Sequence, residues 1–183
     1  MKNKLILLLA LLSLAGWSAQ AQNENIFDYE NGWFVGAGIG ANMGLDGGAY
    51  QQRELSHVGA GLTVDVYAGK FFSPRWGFRA GYQGVNTSNM YTAFGHSPFH
   101  YIHADALLRL GEVAVPYLHV GVAFMSKVTP VGGLGLMLPV RLSGRVALVP
   151  DLRASILRGS AFAGDSKGLG FQLSASIGVQ YKL

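Results

Sequence analysis

The 183-residue chain contains no cysteine, so no disulfide holds it together. An exported domain of this size must then draw its stability from something else. Charge is also scarce. Asp, Glu, Lys and Arg make up 13% of the residues, against about 25% in an ordinary soluble domain. The formal net charge of +4 is too small to imply a nucleic-acid partner. Long apolar runs are missing as well. Beyond the first 21 residues no stretch offers the ~18 uninterrupted apolar residues of a spanning helix. What remains is hydrophobic and rich in glycine. Half of the residues are hydrophobic and 26 are glycine, roughly twice the usual share of ~7%. That hydrophobicity argues against disorder despite the glycine.

The first 21 residues read as a secretory signal peptide. Lys2 and Lys4 form the charged start, residues 5–15 the apolar core, and Ala19-Gln20-Ala21 the cleavage site. The apolar run is too short to span a bilayer. The mature chain is expected to begin at Gln22, with 12 basic and 10 acidic residues. Residues 22–31 read as a short periplasmic segment, and 32–183 as a single domain.

That domain repeats one pattern. Near its end Leu169, Phe171, Leu173, Ala175, Ile177, Val179 and Tyr181 alternate with Gly170, Gln172, Ser174, Ser176, Gly178, Gln180 and Lys182. Strand side chains alternate between faces, so this strand has one apolar and one polar side. It is long enough to cross a bilayer, which takes about 9–11 tilted residues. The alternation recurs near 32–42, 62–72, 76–86, 99–110, 114–125, 131–141 and 145–157, for eight strands in all. Three connections are tight: Ser73-Pro74-Arg75, Gly111-Glu112-Val113 and Leu142-Ser143-Gly144, the last fitting a hairpin with Gly144 in the left-handed region. The connections 43–61, 87–98, 126–130 and 158–167 are longer. Pairing Leu110 with Ala114 sets Asp105 opposite His119. Pairing Phe72 with Trp76 sets Asp65 opposite Gln83 and Tyr67 opposite Gly81. Both registers bring like faces together.

The polar face carries glycines and charges of both signs, and the other face is almost purely apolar. The polar face therefore points into the lumen and the apolar face toward lipid, where a mid-bilayer charge costs roughly 2–4 kcal/mol. Eight strands leave room only for side chains, so the lumen should be plugged by an ion-pair network. Its candidates are Asp65, Arg79, His103, Asp105, Arg109, His119, Arg141, Asp151 and Arg153. Trp33, Phe72, Trp76 and Tyr181 at the tight-turn end, with Tyr82, Phe124 and Phe171 toward the other, form two interface girdles. Pro139 and Pro150 lie inside the sixth and seventh strands. A closed sheet has no free edge for them, which implies a bulge or a hairpin extended past the membrane.

The signal peptide, the eight amphipathic strands and the ending Ile177-Gly178-Val179-Gln180-Tyr181-Lys182-Leu183 resemble the small OmpA/OmpX-like family of outer-membrane β-barrels. The resemblance implies an all-β, eight-stranded antiparallel up-and-down transmembrane barrel. It also implies a last strand read by barrel-assembly machinery, with Val179 and Tyr181 matching that signal and Leu183 departing from its terminal aromatic. No room follows Leu183 for a peptidoglycan-binding domain.

Other chemistry is poorly supported. Gly36-Ala37-Gly38-Ile39-Gly40 partly fits a dinucleotide loop but no helix follows it. His96 and Ser97 lack the His-x-Ser spacing of the lipid A deacylases, another group of barrels. His96, His100 and His103 could suggest a metal, but His100 and His103 would face opposite ways on one strand. No catalytic, cofactor-binding or metal residue is therefore expected. The expected role is a scaffold in outer-membrane lipid, displaying loops 43–61 and 87–98 to an unknown extracellular ligand. Two alternatives are a soluble exported lipocalin-like barrel holding an apolar ligand, and a lipid A-modifying barrel enzyme.

Overall fold

The computed structural model describes residues 32–45, 58–89, 97–111, 113–124, 128–158 and 169–183. The expected signal peptide, the segment 22–31 and most of each long connection lie outside them. The strands are β1 (Trp33–Leu45), β2 (Val58–Phe71), β3 (Trp76–Asn89), β4 (Ser97–Leu108), β5 (Val115–Phe124), β6 (Val128–Met137), β7 (Val140–Arg141), β8 (Val146–Arg158) and β9 (Leu169–Lys182). Each pairs antiparallel with its neighbour in sequence, except that β6 and β7 both pair with β8 and form one stave. β1 pairs with β9 from Phe34–Lys182 to Leu45–Phe171, which closes eight staves into a barrel.

The expected registers are present: Asp105 faces His119, Asp65 faces Gln83, and Tyr67 faces Gly81. Burial alternates accordingly. In β2, Thr63, Asp65, Tyr67 and Gly69 are buried while Leu62, Val64, Val66 and Ala68 face outward. Several strands run further than the alternation alone suggests. β1 continues to Leu45 and β2 starts at Val58, so that connection shrinks to 46–57. β6 begins at Val128, which makes 125–127 a short link rather than a long loop.

The three tight turns are closed by the same kind of hydrogen bond. Phe72, Leu110 and Leu142 donate their N–H to the carbonyls of Trp76, Ala114 and Val146 at 3.1, 2.8 and 2.8 Å. The last loop is thus Ser143-Gly144-Arg145, one residue later than expected. The left-handed glycine is Gly111, at φ 65°, and not Gly144. A non-glycine side chain would be strained there.

The prolines produce no bulge. Met137 faces Asp151, Val140 faces Leu148, and the register is unbroken across the gap. Leu138 donates to the Pro150 carbonyl at 2.9 Å, so Leu138 turns its backbone toward β8. Pro139 then turns its own toward β5, which begins only at Val115. A missing donor is tolerated where there is no strand to receive it. Pro150 removes one bond from its pairing with Leu138, and the stave is interrupted there.

Inward glycines make the narrow lumen possible. Large inward rings lie on glycines directly across the strand pair: Tyr67 on Gly36, His103 on Gly81, His119 on Gly133 and Tyr117 on Gly135. A Cβ at Gly135 would stand 2.1 Å from the Tyr117 ring and 2.7 Å from the Leu152 carbonyl oxygen. At the outer position Gly84 the nearest atom would be 3.6 Å away, an ordinary contact. Gly135→Ala is therefore expected to destabilise the barrel by about 1–3 kcal/mol through overpacking. Gly84→Ala should stay within about 0.5 kcal/mol. Urea unfolding of the refolded protein in lipid vesicles measures both, and equal midpoints would contradict the steric account.

Candidate functional site

The lumen of the described barrel is layered. At the tight-turn end Phe34, Phe71, Leu107, Val115, Met137, Ala147 and Val149 form an apolar plug with Tyr67 and Tyr117. Toward the long connections Val85, Tyr101, Ala123, Val131 and Leu157 form a second, one-sided cluster on β3–β8. The β9–β1–β2 wall at that height is polar, with Asn42, Thr63, Gln172 and Ser174 buried. Between the two clusters lies an ionic layer.

Arg79, fully buried on β3, is its hub. Its Nε donates to Asp105 Oδ2 on β4, and its Nη1 reaches Asp151 Oδ2 on β8 at 2.9 Å. Its guanidinium carbon lies 4.8 Å from the Tyr67 ring centre and 4.6 Å from that of Tyr117, so the cation is clamped between two aromatic faces. His103 bridges two carboxylates, with Nδ1 2.8 Å from Asp105 Oδ1 and Nε2 3.3 Å from Asp65 Oδ1. Arg153 approaches Asp65 Oδ2 at 3.5 Å and donates to Tyr117 Oη at 3.1 Å. The Tyr117 hydroxyl donates in turn to Asp151 at 2.6 Å. Three carboxylates and two guanidiniums in an apolar wall are tolerable only because they are cross-paired this way.

The sequence candidates separate into three groups. Asp65, Arg79, His103, Asp105, Asp151 and Arg153 meet in this network. His119 is buried but turns aside. It pairs with Tyr101 Oη at 2.5 Å, the Ala154 carbonyl at 3.2 Å and Ser155 Oγ at 3.3 Å. Tyr101 stacks on His103 at 5.2 Å and so links the two groups. Arg109 and Arg141 do not join the layer. They stand at the turn-end rim and donate from Nε to the carbonyls of Gly111 and Ser143 at 3.1 and 3.0 Å. Their parity is inward, but they lie beyond the apolar plug. The tyrosines Tyr67, Tyr101 and Tyr117 and the amide of Gln83, which donor Arg153 reaches at 3.4 Å, complete the network. Their inward parity was the available signal for them.

All seven girdle candidates, Trp33, Phe72, Trp76, Tyr82, Phe124, Phe171 and Tyr181, face outward. Phe78 joins Trp33 edge to face at 5.9 Å. His100 also faces outward, hydrogen-bonded to Tyr82 and stacked on it at 5.7 Å. His103 faces inward on the same strand, so the two cannot share a metal. No group of three metal-ligating side chains occurs among the described residues, and His96 lies outside them.

Arg79→Met would leave Asp105 and Asp151 without their main cation. It is expected to lower unfolding free energy in vesicles by about 3–5 kcal/mol. Adding Asp105→Asn and Asp151→Asn should recover part of that loss, because the orphaned charges are then gone. Additive effects, or an unchanged urea midpoint for Arg79→Met, would contradict the pairing.

No family model and no curated protein matches the chain. Solved structures do. Neisserial surface protein A matches with a TM-score of 0.59 at 14% identity, over 82% of this chain and 97% of that one. Ail, the attachment invasion locus protein of Yersinia pestis, matches with a TM-score of 0.51 at 11% identity, over 84% and 99%. With its closed ring of eight antiparallel staves, the chain has the fold of the small outer-membrane β-barrels.

Proposed function

We propose that the protein resides in an outer membrane as a sealed structural barrel that displays its long connections outside the cell. The observation that carries this reading is the inverted polarity: charges converge inside, while Leu62, Ile39, Leu118, Val120 and Leu134 face outward. Only a hydrocarbon surround rewards that arrangement. A lipocalin-like barrel would need the opposite one, with apolar walls around an internal ligand. The paired ionic layer and the plug beside it also argue for a scaffold rather than a catalyst, since they leave the lumen groups with one another. On the outer wall Tyr82 and His100 form a polar pair, but no described carboxylate faces outward to complete a hydrolytic triad.

Surface interaction is the finer part of the proposal. Of the expected loops 43–61 and 87–98, the connections proper are 46–57, with Asp46, Arg53, Glu54 and His57 among glycines, and 90–96, with Met90, Tyr91 and Phe94. Such connections on a rigid frame are where recognition resides. The name of Ail, with attachment and invasion in it, favours adhesion as the class of activity. Export by the 1–21 signal peptide and assembly through β9, with Val179 and Tyr181 outward, complete the reading.

An epitope inserted within 46–57 is expected to be detected on intact cells, and the membrane-extracted protein to change gel mobility on boiling. A soluble species without that shift would refute the membrane reading. A boil-sensitive barrel with the epitope hidden in intact cells would refute the display of this connection alone.

A further inference from the structure

The described charges divide by height. Asp65, Asp105 and Asp151 are all buried in the lumen with Arg79 and Arg153. Of the other described basic residues, Arg158 ends β8 at the far rim. Lys70, Arg75, Arg109, Arg141, Arg145 and Lys182 all gather at the tight-turn end.

These six form two tiers. Arg109, Arg141 and Lys182 continue the inward parity just past the apolar plug and rim the mouth. Lys70, Arg75 and Arg145 lie outward or on the turns. Lys70 Nζ sits 5.5 Å from the Trp33 ring centre, and Arg145 Nη1 donates to Tyr181 Oη at 3.5 Å. Trp and Tyr settle at headgroup level. The cations beside them are therefore held in the headgroup layer. Against the six, the sequence attaches four acids at this end, Glu112 in the turn and Glu24, Asp28 and Glu30 ahead of β1, so basic residues outnumber acidic ones there.

We propose that the turn-end rim binds anionic phospholipid headgroups of the surrounding leaflet through Lys70, Arg75 and Arg145. The inference rests on the membrane reading above. Two guanidiniums can each take a phosphate in a forked pair, and the ammonium supplies a point charge beside them. Basic side chains in a headgroup layer are drawn to anionic lipid over about a Debye length. Snorkelling by itself would place the same side chains equally well in neutral lipid. Sensitivity to lipid charge therefore separates the two.

The full mature chain is refolded into phosphatidylcholine vesicles with and without phosphatidylglycerol. Boil-sensitive gel mobility is read against temperature. Phosphatidylglycerol is expected to raise the unfolding midpoint, and added sodium chloride to erase the rise. Inorganic phosphate in neutral vesicles should not reproduce it, which separates a lipid headgroup from a free ion. Lys70→Gln with Arg75→Gln and Arg145→Gln should abolish the rise, and Lys70→Arg with Arg75→Lys and Arg145→Lys should keep it. Equal wild-type midpoints in the two lipids would overturn the proposal while leaving the membrane reading intact. A rise that appears only after Glu24, Asp28 and Glu30 are neutralised would assign the rim to the chain's own acidic segment and overturn it too. Failure to insert into either vesicle would instead strike at the membrane reading.

Discussion

In hydrocarbon a peptide group cannot borrow a hydrogen bond from water, so each N–H and C=O of a spanning strand must find a partner in the protein. The β1–β9 ladder meets that demand for the two strands that would otherwise be edges. Closure then dictates the rest. With eight staves the closed lumen is only wide enough for side chains, and closure fixes register, which decides the side chains that share the lumen. A slip by one residue would turn Asp65, Arg79 and Asp105 toward lipid and Leu62, Val64 and Val66 inward.

In a lumen that narrow, large inward rings compete for space with the residues across the strand pair. The glycines across from Tyr67, His103, His119 and Tyr117 resolve the conflict, because each ring occupies the space where a Cβ would stand. The rings in turn make the ionic layer possible. Tyr67 and Tyr117 clamp Arg79, and Tyr117 carries a hydrogen bond from Arg153 to Asp151. Removing the plug of Phe34, Phe71 and Leu107 would open this layer to water from the turn end. Glycine, ring, ion pair and plug are thus successive consequences of one closed circumference.

Much of this was legible in the sequence because period-two alternation states the face of every residue. The strand count, the hairpin registers and the burial of Asp65, Arg79, Asp105 and Asp151 follow from it. Height along the barrel does not. Arg109 and Arg141 have the parity of the lumen residues but stand beyond the plug, since alternation does not say where a strand meets the interface. The same blindness hid the plug. Phe71, Leu107, Val115 and Val149 share the inner face with charged residues, and only the three-dimensional stagger of the staves gathers them at one end. Pro139 and Pro150 were legible as a conflict. Their solution depends on which neighbour each backbone turns toward at that height, which alternation does not state, although the start of β5 at Val115 lies within one residue of the start at 114 read from the sequence.

The chain's lack of cysteine makes the central claim directly measurable, because any cysteine introduced is a unique label site. Nitroxides placed singly at Gln172, Leu173, Ser174, Ala175, Ile177, Val179 and Gln180 of β9 in phospholipid vesicles report contact with oxygen dissolved in the bilayer. The account predicts high oxygen accessibility at Leu173, Ala175, Ile177 and Val179, and low accessibility at Gln172, Ser174 and Gln180. The reverse alternation, or none, would contradict a barrel with its apolar face in lipid and its charges inside.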